Sequence, residues 1–182
     1  EQCRTELWSV LHPYQMKLIR MSPAAFIHFG TTKELRELMT ERMDEFYYLG
    51  WTSNINTNRE EADFAASNSY VSPNAEIGKG SYLEDCMIRN KSQIGEECVI
   101  SGVTLDGQTI PAHTVLHGLK QQNGKFVVRM YGVSDNPKEA LLFGKTLPMP
   151  LWEVAIYPVC DSMDVAVHQT LEAWRAGFPI RA

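Results

Sequence analysis

The sequence predicts a mainly β fold with flanking helices, in which a left-handed parallel β-helix of hexapeptide repeats follows a short α/β segment. Three observations predict it. Val71-Ser-Pro-Asn-Ala75, Ile77-Gly-Lys-Gly-Ser81, Ile94-Gly-Glu-Glu-Cys98 and Ile110-Pro-Ala-His-Thr114 share one form, an aliphatic residue with a small one four positions on. Leu83, Ile88, Ile100 and Leu105 keep the aliphatic beat between them, at intervals of five or six. Amphipathic helical patterns flank this block on both sides. In such a repeat each aliphatic points into a narrow interior and the small residue fits a corner. Each coil pairs its backbone with the next, so the stack buries a core that no single coil has. Three hexads make a coil, so residues 71 to 118 are expected to give two and a half coils.

Upstream, Leu7, Trp8, Val10 and Leu11 mark a first helix that Pro13 ends. The apolar run Phe26-Ile27-His28-Phe29 reads as a strand, and Gly30-Thr31-Thr32 opens a strong helix. Thr31 and Glu34 stand at capping-box spacing, Leu35, Leu38, Met39, Met43, Phe46 and Tyr47 form its apolar face, and Gly50 is its stop. Residues 51–70 are polar and read as linker or irregular strand. Beyond the repeat, Gln122-Asn123-Gly124-Lys125 predicts a type I′ hairpin turn between Val115–Gln121 and Phe126–Tyr131. Prolines at 137, 148, 150 and 158 then keep the chain irregular. A last helix spans Ser162 to Ala176, with Val165, His168, Leu171 and Trp174 on one face and Gly177 as its stop. Its expected role is to cap the open end of the coils.

The whole chain has room for one domain or two small pieces: 182 residues, 17 basic against 22 acidic, net charge −5. Mild acidity with mixed signs argues against a nucleic-acid binder, and the sequence holds no spanning apolar stretch. No membrane partner is expected. Cys3, Cys86, Cys98 and Cys160 form no C-x-x-C pair, so they read as free thiols of a reducing cytosol. His12, His28, His113, His117 and His168 make no zinc motif. No metal site and no catalytic residue are expected in the chain. Glu1 has neither a starting Met nor a signal peptide after it, and the chain reads as a segment of a longer protein.

Two features together resemble a known family. Phe26-Ile27-His28-Phe29-Gly30-Thr31-Thr32-Lys33-Glu34-Leu35 is similar to the segment near the end of the catalytic domain in sugar-nucleotide pyrophosphorylases, and several of those enzymes carry a left-handed β-helix directly after it. The form with His28 where others have Asp resembles the fucose-1-phosphate guanylyltransferase (GDP-fucose pyrophosphorylase) and L-fucokinase family. Phe126-Val-Val-Arg-Met-Tyr-Gly-Val133 and Leu147-Pro-Met-Pro-Leu-Trp152 followed by Tyr157-Pro158 add to the likeness. The resemblance implies that residues 1–50 are the tail of a nucleotidyltransferase-like domain, 51–118 the β-helix, and 119–182 a hairpin and capping segment. It implies a cytoplasmic parent that makes GDP-fucose from fucose 1-phosphate and GTP with Mg²⁺, partnered by an N-terminal nucleotidyltransferase domain. A C-terminal kinase domain that phosphorylates L-fucose, and homo-oligomers, are further expected partners.

The Gly-rich triphosphate loop of pyrophosphorylases does not occur in these residues, nor does a Walker or kinase loop, so the chain alone is expected to be inactive. Its expected contribution is scaffolding, with His28, Thr31, Thr32 and Lys33 as candidate substrate-binding residues. A helix N-terminus there offers N–H groups and partial positive charge to a phosphate or sugar hydroxyl. Plain capping accounts for the same residues. His is a poor Mg²⁺ ligand, so His28 carries no metal role over from the Asp form. His113 and His117 have the chemistry of a general base in hexapeptide-repeat acyltransferases, but the coils are few for an acyl-CoA groove. A non-catalytic oligomerisation module is the third reading. Asp161, Asp164 and Glu172 read as solvating the last helix, and Tyr47, Tyr48 and Trp51 as packing against the coils.

Overall fold

The computed structural model describes residues 1–24, 26–59 and 63–178. At its centre is a parallel β-helix of about three coils. The first coil opens with β1 (Asn54–Ile55) and continues through β2 (Phe64–Ser67), β3 (Tyr70–Val71) and β4 (Glu76–Ile77). The second has β5 (Ser81–Glu84), β6 (Met87–Ile88) and β7 (Gln93–Ile94); the third has β8 (Val99–Ser101), β9 (Thr104–Leu105) and β10 (Thr109–Ile110). The expected repeat is therefore present, and its coils begin before residue 71: the polar stretch 51–70, read as linker or irregular strand, supplies β1 and β2.

Three faces result. Two are three-stranded stacks, β3-β6-β9 and β10-β7-β4, all parallel. The third is a seven-stranded sheet ordered β1-β2-β5-β8-β11-β12-β15, which grows past the coils through β11 (Thr114–Lys120), β12 (Phe126–Gly132) and β15 (Val159–Cys160). Strands β11 and β12 pair antiparallel, so the hairpin turns the last coil face into an ordinary sheet edge. Register advances by seventeen positions between the first coils (Phe64 opposite Ser81, Tyr82 opposite Val99) and by sixteen into the last (Val99 opposite Val115). Three full hexads would give eighteen; the corners of this chain are shorter.

The aliphatic beat points inward as expected. Val71, Leu83, Ile88, Ile94, Ile100, Leu105, Ile110 and Leu116 are buried, and so are the small corner residues Ala75, Ser81, Cys98 and Thr114. Ser81 shows why the corner needs a small polar group: its hydroxyl donates to the Gly95 carbonyl and accepts from the Cys98 N–H, which satisfies backbone that the turn leaves unpaired. Gly78 and Gly95 stack where coils approach most closely. A Cβ on Gly78 would stand 2.4 Å from the Glu96 nitrogen, and one on Gly95 2.4 Å from the Ala112 nitrogen.

Four expectations change in detail. Phe26–Phe29 is not a strand but exposed irregular chain, because among the described residues no neighbouring strand offers it backbone partners. The long helix is α2 (Thr32–Glu41) followed by a 3₁₀ turn, Met43–Leu49, ending on Gly50 at φ 78°. The hairpin turn is not type I′. Gly124 takes φ 80° while Gln122 and Asn123 do not enter positive φ, and the Gly124 N–H donates to the Gln121 carbonyl, a type I turn followed by a left-handed glycine. The final helix, α3 (Met163–Arg175) with Ser162 as its cap, buries Ala166, Val167, Thr170 and Leu171, whereas Val165 and His168 face solvent. It packs on β12, where the Thr170 hydroxyl donates to the Val128 carbonyl, and it also covers β9. The first helix, α1 (Gln2–Leu11), forms as expected but buries nothing.

Candidate functional site

The corner that the sequence singles out lies where the arm of residues 1–30 meets α2. Its capping box is complete. Glu34 Oε2 accepts from the Gly30 N–H at 2.8 Å and the Thr31 N–H at 2.9 Å, and the Thr31 hydroxyl accepts from the Glu34 N–H at 3.2 Å. Those bonds, the Gly30 one foremost, hold the Glu34 carboxyl below the usual carboxylate range. The Thr32 and Lys33 N–H groups are left as the open donors of the helix end. Lys33 Nζ lies 3.8 Å from Glu37, one turn on. His28 is exposed, with its ring 6.2 Å from that of Phe26. The four predicted residues thus share one short stretch, on chain that is not a strand.

Beneath that corner, α2 docks on the solenoid through a residue that sequence reasoning missed. Arg36 is buried, its side chain only 4% exposed. Its guanidinium lies over Gly80, donates to the Gly80 carbonyl at 3.2 Å and pairs with Glu41 at 2.9 Å. It also stands 3.7 Å from Glu97, whose carboxylate is 3.4 Å from His113 Nδ1. Gly80, Glu97 and His113 all take left-handed backbone (φ 70°, 52° and 57°), because they occupy one corner on successive coils. Among the described residues the Nε–H of Arg36 has no hydrogen-bond partner. A signal did exist: Arg36 falls three and seven positions before Met39 and Met43, on the apolar stripe.

A second polar group crosses the large sheet. Glu84, Ser101, His117 and Arg129 are in register on β5, β8, β11 and β12, and the Ser101 hydroxyl lies 3.4 Å from Glu84. Burial, then the neighbouring Arg129 charge, lowers the His117 pKa and keeps its ring neutral at neutral pH. His113 and His117 sit on different surfaces, one at a corner with Glu97 and the other on the sheet, so they build no common acid–base pair. Burial pushes the Cys86 and Cys98 thiols up to about 11, and all four cysteines are unpaired. Asp161 pairs with Lys125, and Glu172 lies 3.4 Å from His168 on α3. Tyr47 and Tyr48 are exposed rather than packed on the coils, and Trp51 instead meets Phe46 at 5.8 Å. Among the described residues no three His, Cys, Asp or Glu side chains converge to hold a metal ion. No helix among them is long and apolar enough to cross a membrane.

Residues 1–162 match the fucose pyrophosphorylase domain. Two curated relatives are similar along nearly the whole chain: human fucose-1-phosphate guanylyltransferase, 23% identical over 96% of this chain and 36% of its own length, and the mouse protein of the same name, 22% identical over 92% and 35%. The chain therefore spans about a third of the length of these relatives. No solved structure matches.

Proposed function

The chain belongs to the fucose pyrophosphorylase domain family, and from that premise we propose that it is the solenoid-bearing part of a protein that makes GDP-fucose from fucose 1-phosphate and GTP. In that reaction a phosphate oxygen of fucose 1-phosphate attacks the α-phosphorus of GTP. The bond to the β-phosphate breaks and pyrophosphate leaves. The observation that carries the reading is the family match, which runs unbroken through the arm, α2 and every coil. No triphosphate-cradling loop lies in these residues, so the chain acts as scaffold and the bond-making groups belong to the remainder of the parent.

The corner at His28, Thr31, Thr32 and Lys33 is the part of the chain offered to the sugar. Glu34 already supplies the negative charge that a helix N-terminus attracts, so a phosphate there would face a like charge. Hydroxyl groups fit better: the Thr32 and Lys33 N–H groups donate to them, and the exposed His28 ring nitrogens stand beside them as further hydrogen-bonding groups. The arm itself supports a docked state. Met16 and Leu18 are 99% and 98% exposed, and Trp8, Leu11, Tyr14, Ile19 and Phe26 are also open to solvent. We read this apolar surface as the seat of the nucleotidyltransferase part of the parent.

The test is an assay of the full-length parent with GTP, fucose 1-phosphate and Mg²⁺. Equal yields of GDP-fucose and pyrophosphate are expected. A parent that leaves fucose 1-phosphate untouched while turning over a different sugar phosphate sinks the assignment.

A further inference from the structure

A buried arginine between a helix and a solenoid needs a reason. Leu35 and Met39 pack against the apolar core and Leu38 is buried, so α2 already has an apolar face to lay on the coils. Such a face is smooth, and it favours burial without fixing rotation or register. Arg36 adds what it lacks. Its planar fork meets a backbone carbonyl of one coil (Gly80) and stands by a carboxylate of the next (Glu97), while Glu41 and Glu37 on its own element balance its charge. These contacts span two coils at one corner, so α2 meets them together only at one position along the stack. Among the described residues the buried Arg36 Nε–H meets no hydrogen-bond acceptor, so the fork's Nη1 and Nη2 ends make the polar contacts that fix its place.

We propose that Arg36 is a positioning residue: it latches α2 to the Gly80–Glu97–His113 corner and so sets where the His28–Lys33 stretch stands relative to the solenoid. The two are joined through the cap, because Glu34 ties Gly30 and Thr31 to the first turn of the same helix. The proposal rests on the reading of that stretch as a sugar-facing wall. It assigns the solenoid an active part in catalysis, through the register of one helix.

The latch is tested in the full-length parent with Arg36→Met, Arg36→Lys and Glu97→Gln, and with Arg42→Met as a control that removes an exposed pair to Glu45. Amide hydrogen exchange and steady-state kinetics are both read. Arg36→Met is expected to raise exchange in α2 at least tenfold while β5 and β8 stay protected. It is also expected to raise KM for fucose 1-phosphate about tenfold with a smaller change in kcat and none in KM for GTP. Arg36→Lys should recover part of both effects, Glu97→Gln should show a weaker version, and Arg42→Met should show neither. Unchanged α2 protection in Arg36→Met overturns the latch. Lost protection with unchanged KM overturns the positioning role and leaves a structural anchor. If Arg36→Met does not fold, the lysine and glutamine variants decide by the same two readouts. A wild-type parent without GDP-fucose synthesis overturns the functional reading instead, and α2 exchange still decides the latch.

Discussion

The solenoid and the arm of residues 1–30 are opposite solutions to the same composition. Both are rich in large apolar residues. In the solenoid the inward aliphatics from Val71 to Leu116 are buried between coils, and backbone groups of one coil pair with the next, as the Tyr82 N–H does with the Cys98 carbonyl. In the arm, α1 buries nothing and Met16 and Leu18 lie open to solvent. The difference teaches where self-sufficiency ends. A repeat carries its own partner in its sequence, seventeen positions away; a lone helix and an unpaired extended segment must find theirs elsewhere.

Thiol chemistry exposes that contrast most sharply. Cys3 on the arm is exposed, whereas Cys86 and Cys98 are buried with thiols pushed up to about 11. A thiol reagent at neutral pH should label Cys3 at least a thousandfold faster (~4 kcal/mol of opening cost) than either solenoid cysteine. Comparable rates would mean that the coils open readily. Next in size, Ile100→Ala in the middle coil should cost about 2–5 kcal/mol in a denaturant titration, since the residue is fully buried.

The edge of the first coil gives a smaller effect. The Asn58 side chain mimics a neighbouring strand: its amide donates to the Val71 carbonyl at 2.8 Å and accepts from the Val71 N–H at 2.7 Å. Arg59 donates to the Ser72 and Ala75 carbonyls alongside. Asn58→Ala should cost about 1–3 kcal/mol and should leave an open strand edge, visible as concentration-dependent association in light scattering. Smaller still is a pH effect. The His117 pKa is lowered in the folded chain, so the unfolded chain binds the proton more readily. Its contribution is complete above about pH 6.5, the ordinary histidine value, and is lost as pH falls through the folded value. The denaturation midpoint should therefore drop modestly from pH 7 to pH 5, and less in His117→Gln. Leu18→Ala should change stability by less than about 0.5 kcal/mol, and a larger loss would show that the arm packs within this chain.

Legibility followed the same division. The coils were readable because their signal is local and repeated: Ile77, Ile94 and Ile110 each announce a corner with a small residue four positions on. The start at β1 was hidden, since Asn54, Asn56 and Asn68 look like loop residues. Asn56 and Asn68 in fact take left-handed backbone at one corner, where the Asn56 amide donates to Asn68 at 2.7 Å and Asn68 in turn pairs with Asp85. Asparagine tolerates that conformation, so the polar run is solenoid in disguise. Phe26–Phe29 has the composition of a strand, yet a strand exists only with a neighbour, and composition cannot supply one. At the candidate corner the capping box was read correctly because it is local. Arg36 was missed because an arginine on a helix is usually solvated, and only the fold brings Gly80 and Glu97 beneath it.

The closed first edge and the hairpin-and-α3 cover at the far end leave the number of coils as the quantity that sets spacing. Neighbouring strands lie about 4.8 Å apart, so each coil is one graduation of a ruler. Duplicating the seventeen residues from Tyr82 to Cys98 would keep every inward aliphatic in phase, and the Gly80 and Glu97 contacts of Arg36 in place, while moving α3 by one graduation relative to α2. Coil number is thus a dial by which a lineage, or an engineer, can shift one end of this assembly against the other without redesigning either.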